Sequence, residues 1–98
     1  MDERARILAT LTAHRAELVS RYGVRSLALF GSAARGEIAP ESDVDLLVEF
    51  DAPPGFDRYM ALKWRLEELV GRPVDLVMAS ALAPWALQQV RDEALRVA

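Results

Sequence analysis

The residues best suited to chemistry in this sequence are a glycine–serine pair and two aspartates at a fixed spacing from it. Gly31 and Ser32 end a short apolar segment, and Asp43 and Asp45 follow after ten intervening residues. Glycine permits a sharp turn and a close approach of the backbone to a ligand. The serine hydroxyl and the free N–H groups at the start of a helix both attract phosphate oxygens. The pair alone also fits an ordinary capped turn, so its spacing to the aspartates is what indicates a phosphate site.

Asp43 and Asp45 are two residues apart in a predicted strand, so both carboxylates are expected on one face of it. Two such charges repel each other unless a cation lies between them. Oxygen ligands without histidine or cysteine suit Mg²⁺, with Mn²⁺ as the alternative, rather than zinc. The competing interpretation is that these acids face solvent or form salt bridges. It is disfavoured because aspartate is depleted in strands.

Asp75 is a third acid, in the next predicted strand, where it alternates with apolar neighbours. If the two strands are adjacent, its carboxylate joins the aspartate pair. Three acids around two metal ions would clamp the attacking and leaving oxygens of an in-line displacement. One acid in a strand is weak evidence taken alone, so this prediction depends on the strand order.

Arg35 and His14 are the other residues with reactive side chains near or beside these motifs. Arg35 has two equally weighted interpretations: its planar guanidinium contacts phosphate, or it pairs with a local acid such as Glu37 or Asp43 and holds the loop. His14 is the single histidine, and it is expected to have a packing or surface role rather than a catalytic one.

Hydrophobic periodicity places these motifs on alternating helices and strands. The order α-β-α-β-α-β-α predicts an α/β (α+β) fold with helices packed on a small sheet. The link between the first two strands is short for a parallel crossover, so a mixed sheet is expected. Residues 95–97 either extend the last helix or add an edge strand. The predicted elements are helices over 3–22, 32–35, 56–70 and from Pro84 toward Leu95 with Ser80 as N-cap, and strands over 24–30, 43–50 and 74–78.

Size and composition narrow the class of protein. The 98 residues, 52% of them hydrophobic, predict a single domain over residues 1–98 rather than a disordered chain. The absence of cysteine removes disulfides and thiolate metal sites. Without a membrane-length apolar run or a secretory signal, a cytoplasmic protein with no membrane association is expected. The net charge of -3 argues against direct nucleic-acid binding but not against nucleotide binding.

Together, these motifs resemble a known family. The glycine–serine pair, the spaced aspartates and the third strand acid are similar to the nucleotidyltransferase superfamily that includes DNA polymerase beta. In its detail the sequence resembles the minimal nucleotidyltransferases (MNT) of bacteria and archaea, the antitoxins of HEPN/MNT toxin–antitoxin pairs. The resemblance covers nearly the whole chain and implies a polymerase beta-like core. The residues that carry it are Gly31, Ser32, Arg35, Gly36, Ser42, Asp43, Asp45 and Asp75.

The resemblance also implies an activity and a role for each residue. Asp43 and Asp45 would bind both metal ions, and Asp75 would bind the catalytic metal and help to deprotonate the attacking hydroxyl. Gly31 and Ser32 would hold the β- and γ-phosphates of ATP. The implied reaction transfers AMP to a hydroxyl and releases pyrophosphate, and in the HEPN/MNT pairs the acceptor is a tyrosine of the toxin. The alternatives are an antitoxin that neutralises its toxin by contact alone, or nucleotidyl transfer to a small molecule.

A partner protein, and with it a hetero-oligomer, is also expected because the motif-bearing core uses most of the chain. Such a core has little room for an acceptor-binding domain of its own. Aromatic side chains are enriched at protein interfaces, which makes Tyr59, Trp64 and Trp85 candidate anchors. For each of the three, core packing is the favoured interpretation.

Overall fold

The computed structural model describes residues 2–98 and confirms the mixed α/β architecture. Five helices and four strands lie within these residues. Their bounds follow the sequence prediction closely around the motifs and differ from it near both ends of the chain. The elements are α1 (Glu3–Ala13), α2 (Arg15–Tyr22), β1 (Val24–Phe30), α3 (Gly31–Ala34), β2 (Val44–Phe50), α4 (Phe56–Val70), β3 (Val74–Met78), a 3₁₀ turn (Ala79–Ala81), α5 (Pro84–Glu93) and β4 (Leu95–Arg96).

The strands form a mixed sheet in the order β3-β2-β1-β4, as the short link between the first two strands predicts. β1 and β2 are antiparallel, because the single turn of α3 between them cannot span a parallel crossover. β2 and β3 are parallel, joined by the 15-residue α4. β4 pairs antiparallel with β1, so the last residues add an edge strand instead of extending α5.

One hydrophobic cluster joins α1, α2 and α4 to the sheet. Alternation along β2 places Leu46 and Val48 in this core, while Asp45 and Glu49 face the other side. α5 lies over that second face, where Arg91 Nη2 donates to Glu49 Oε1 at 3.1 Å. α5 contains no buried residue. The two faces of the sheet therefore differ. One packs against the apolar core, and the other carries the acids and is covered by α5, which has no buried residue.

The single helix predicted over residues 3–22 is wrong, because the structure divides it at His14. This residue has φ -103° and ψ 12°, outside the helical region, and forms the end of α1 and the start of α2. Its Nδ1 lies 2.8 Å from the carbonyl oxygen of Thr10, which satisfies a backbone group freed by the break. His14 is half-buried, in agreement with a packing role.

No helix within residues 2–98 combines the length and apolar character needed to cross a bilayer.

Three further predictions about local structure are wrong. Ser80 lies in the 3₁₀ turn and is not the N-cap of α5; that position is Ala83, followed by Pro84 in the first turn. Trp64 and Trp85 are not core residues, since they are 60% and 70% exposed. Tyr59 does pack against the core and donates its hydroxyl to the carbonyl oxygen of Leu76 in β3.

Candidate active site at the start of two parallel strands

Asp45 and Asp75 are directly paired residues on the neighbouring strands β2 and β3. The strands are parallel and begin at the same edge of the sheet, which brings the two acids side by side near that edge. Val74 and Leu76 are each 3% exposed and point into the core, whereas Asp75 is exposed. The sequence predicts that Asp75 joins the aspartate pair only if the two strands are adjacent. β2 and β3 are adjacent.

Asp43 lies one residue before β2 instead of within it, in an exposed position. The turn before it is ordered by Ser42, whose backbone N–H donates to Ala39 O and whose Oγ accepts from Ala39 N, both at 3.0 Å. Ser42 is therefore a turn residue. Asp43 remains close enough to Asp45 for their charges to interact.

The pKa of Asp45 is raised above its ordinary value, first by burial and then by the carboxylates of Asp75 and Asp43. Arg35 acts in the opposite direction but does not cancel these effects. The charged form of Asp45 is thus disfavoured in the folded protein as it stands. A bound cation would reverse that penalty, because it attracts all three carboxylates.

The donor set of this site fits a hard divalent cation. Its candidate ligands are carboxylate oxygens, which Mg²⁺ and Mn²⁺ prefer. Within residues 2–98, no three acidic, histidine or cysteine side chains are already gathered closely enough to hold a metal ion.

The turn between β1 and α3 has no space for a side chain at Gly31. Its φ is +72°, and a Cβ built there would clash with Oδ2 of Asp45 and lie 3.1 Å from its Cγ. α3 begins at Gly31, one residue earlier than predicted, and Ser32 is half-buried in its single turn. The glycine of the predicted phosphate turn is therefore in direct contact with the predicted metal site.

Arg35 and Gly31 are both bound to carboxylates of this chain. Arg35 Nε donates to Glu37 Oε2 at 3.1 Å, and its Nη1 donates to Glu93 Oε2 at 3.2 Å. The backbone N–H of Gly31 donates to Glu93 Oε1 at 3.1 Å. The pKa of Arg35 is raised, chiefly by the hydrogen bond to Glu37. Of the two interpretations of Arg35, the structure shows the pairing with acids, and the phosphate contact stays a prediction.

Sequence reasoning missed two residues of the site, Glu93 and Arg72. Glu93 reaches Gly31 from the far end of α5, and no local spacing marks a contact between residues 62 positions apart. Arg72 Nη1 donates to the carbonyl oxygens of Ala39, Pro40 and Ser42 at 2.8, 3.0 and 3.3 Å. Arg72 therefore ties the loop before Asp43 to the residues that lead into β3, and its position beside Gly71 gave no signal of this.

Replacing Arg72 with lysine is expected to loosen this loop and to weaken Mg²⁺ binding at the acids about tenfold, because a lysine ammonium cannot reproduce the guanidinium's reach and geometry. The affinity is measured by titrating the protein with Mg²⁺ in a calorimeter. Arg65→Lys is the matched control: Arg65 binds Glu17 across the core helices, away from the acids. Equal Mg²⁺ curves for both variants would contradict a role for Arg72 in placing Asp43.

Comparison with known proteins agrees with this geometry. The Nucleotidyltransferase domain family model matches residues 11–96. The protein adenylyltransferase MntA of Thermococcus cleftensis is 44% identical over 91 residues, covering 93% of this chain and 92% of that protein. A candidate protein adenylyltransferase of Methanocaldococcus jannaschii is 37% identical and covers 99% of this chain and 100% of its own.

Solved structures show the same fold. A candidate minimal nucleotidyltransferase superposes with a TM-score of 0.77 at 40% identity, covering 97% of this chain and 95% of that one. The MNT antitoxin complex with a tri-AMPylated HEPN toxin of Shewanella oneidensis gives 0.66 at 18% identity, covering 93% and 71%. The match of family model, relatives and fold over nearly all of the sequence leads to one conclusion. This chain belongs to the nucleotidyltransferase family and, within it, is similar to the minimal nucleotidyltransferases.

Proposed function

We propose that this nucleotidyltransferase transfers AMP from ATP to a tyrosine hydroxyl of a partner HEPN toxin, in the presence of Mg²⁺, and so acts as an antitoxin. The observation that carries the proposal is the pairing of Asp45 with Asp75 beside the Gly31 turn. This pairing puts two carboxylates next to a glycine turn, an arrangement that supports a site for metal ions and phosphate. The 44% identity with an MntA protein adenylyltransferase supports a protein as the acceptor.

The proposed reaction is an in-line displacement at phosphorus. The acceptor oxygen forms a bond to the α-phosphorus, the bond from that phosphorus to the oxygen bridging the β-phosphate breaks, and pyrophosphate leaves. Asp75 accepts the proton of the acceptor hydroxyl. Gly31 and Ser32 hold the β- and γ-phosphates through backbone N–H and hydroxyl donors. Two Mg²⁺ ions bound by Asp43, Asp45 and Asp75 would supply charge neutralisation at the phosphates.

The partner side of the proposal is supported by the exposed aromatic residues. Three large aromatic side chains lie mostly outside the hydrophobic core: Phe56, Trp64 and Trp85 are 76%, 60% and 70% exposed. Buried aromatic anchors dominate the free energy of many interfaces. A hetero-oligomer with the toxin would bury such side chains, and cytoplasmic ATP would supply the nucleotide. One solved complex of this fold contains a HEPN toxin, and another, a toxin–antitoxin complex, contains AMP-PNP.

The test is an incubation of the protein with ATP, Mg²⁺ and the product of the adjacent open reading frame, followed by intact-protein mass spectrometry. We expect the partner to gain one or more adenylyl units on a tyrosine. The Asp43→Ala, Asp45→Ala double variant should give none, and an adduct that persists in it would refute the mechanism. A stable complex that silences the partner without any adduct would favour neutralisation by contact, the main alternative. An adenylyl adduct on a small molecule instead of the protein would favour the second alternative, nucleotidyl transfer to a small-molecule acceptor.

A further inference from the structure

Glu93 occupies the phosphate turn with both of its carboxylate oxygens. Oε1 accepts the backbone N–H of Gly31 at 3.1 Å, and Oε2 accepts Arg35 Nη1 at 3.2 Å. These are two of the donors that a phosphate at this turn would use. A carboxylate held by a backbone N–H and a guanidinium makes the same charge-assisted hydrogen bonds as a phosphate oxygen pair. Glu93 and a bound triphosphate therefore compete for the same donors.

The charge of Glu93 also opposes a second anion at this place. Glu93 lies near the candidate metal site, since it accepts the N–H of Gly31, the residue that packs against the Asp45 carboxylate. A triphosphate on Gly31 and Ser32 would bring its negative charge next to this carboxylate, which already accepts the Gly31 N–H. Like charges in contact repel strongly where solvent is partly excluded. Simultaneous occupation of the turn by Glu93 and phosphate is therefore unfavourable.

Moving Glu93 away requires little disruption of the fold. Glu93 is the last residue of α5, and its side chain is 38% exposed. No residue of α5 is buried, so a movement of Glu93 that leaves β4 in place does not disturb the hydrophobic core. The ion pair with Arg35 is solvent-exposed, and exposed ion pairs add little to stability. Breaking it therefore opposes nucleotide binding only weakly.

We propose that Glu93 is a positioning residue that holds Gly31 and Arg35 in the nucleotide-free enzyme and is displaced by the triphosphate of ATP, which frees Arg35 for the phosphates. This inference rests on the proposed function, because it takes ATP as the ligand of the turn. Arg35 would then pair with acids before ATP binds and contact the phosphates afterwards, so both interpretations of this residue would apply, one after the other. It also makes the end of α5 the part of the protein that responds to nucleotide.

The test compares the affinity of a non-hydrolysable ATP analogue with Mg²⁺ by calorimetry in the wild-type protein, Glu93→Gln and Asp92→Asn. We expect Glu93→Gln to bind roughly five- to tenfold more tightly, since the competing charge is gone. Asp92→Asn should stay within about twofold of wild type. Asp92→Asn is the matched control, because it removes the same charge one residue earlier. The Asp92 carboxylate accepts a hydrogen bond from Gln88 within α5 and, in the described part of the chain, none from the Gly31 turn. Hydrogen exchange at the end of α5 should rise when the wild-type protein binds the analogue.

The outcomes separate this inference from the proposed function. Unchanged or weaker binding by Glu93→Gln would overturn the inference and leave the function standing, because it would mean that Glu93 stays in place or helps to hold the ligand. Equal tightening in Asp92→Asn would also overturn it, by assigning the effect to net charge. A failure of all three folded proteins to bind the analogue would overturn the proposed function itself. A structural defect in Glu93→Gln would weaken binding, so tighter binding cannot arise from damage to the fold.

Discussion

Replacing Asp45 with asparagine is expected to abolish nucleotidyl transfer and at the same time to raise the melting temperature of the metal-free protein. The loss of transfer should be on the order of a thousandfold, since in the proposed mechanism Asp45 would hold the metal ions, and such a ligand contributes several kcal/mol to the transition state. The gain in stability follows from the raised pKa of Asp45, because burial and two neighbouring carboxylates disfavour its charge. Asparagine keeps the shape and removes that charge. Transfer is measured on the partner protein and stability by thermal unfolding in a chelator.

The stability gain has a definite dependence on pH. A carboxyl whose pKa is raised in the folded state costs stability once it ionises in the unfolded state, above about pH 4. Wild type and Asp45→Asn should therefore melt together at lower pH, and the variant should exceed wild type by a few degrees near neutrality. Mg²⁺ should narrow the difference by stabilising only the wild type. Asp57→Asn, an exposed acid in the first turn of α4, is the control. An inactive variant that is also less stable would contradict the picture of three mutually repelling acids.

Replacing Gly31 with alanine is expected to destabilise the protein by about 2–4 kcal/mol and to reduce transfer more than a hundredfold. Two costs add: a positive φ that alanine adopts poorly, and a clash between the new Cβ and the Asp45 carboxylate. The activity loss arises because the clash displaces Asp45, and a shift of about 1 Å at a reacting group costs about a hundredfold. Urea denaturation and the transfer assay measure the two effects.

Gly71 offers a matched control for the backbone cost. It has the same φ of +72°, but a Cβ there meets nothing within 4 Å. Gly71→Ala should cost about 1 kcal/mol and leave transfer unchanged. In an Asp45→Ala background the clash with the carboxylate disappears and only the 3.3 Å contact with the Cβ of residue 45 remains, so the cost of Gly31→Ala should fall toward that of Gly71→Ala. An equal cost of Gly31→Ala in both backgrounds would show that Gly31 and Asp45 are not in contact.

The site could be anticipated from sequence where local chemistry restricts the possibilities. A glycine before a serine at the end of an apolar strand predicts a tight turn, and the structure has φ +72° at Gly31. Alternation in the third strand predicts that Asp75 faces away from the core, as it does. The short link between the first two strands predicts antiparallel pairing. Each of these predictions depends on steric rules that act within a few residues.

The predictions that failed depend on contacts between distant parts of the chain. Trp64 and Trp85 have core-like side chains, but helix orientation leaves both exposed. Ser80 has the right type for an N-cap, yet the chain after β3 forms a 3₁₀ turn and α5 begins at Pro84. The break at His14 allows two helices to contact α4, which hydrophobic periodicity over residues 3–22 cannot show.

The sequence by itself determined the family of this protein, because Gly31, Ser32 and the spaced aspartates resemble those of nucleotidyltransferases and the family model matches. Only the tertiary structure decided which residues lie together at the candidate site. The strand order brought Asp75 beside Asp45, and the packing of α5 placed Glu93 on the Gly31 turn. The physical reason is that residue types and local sterics are properties of a short segment. Contacts between residues far apart in sequence, such as Asp45 with Asp75 and Gly31 with Glu93, depend instead on how the helices and strands pack around the whole hydrophobic core.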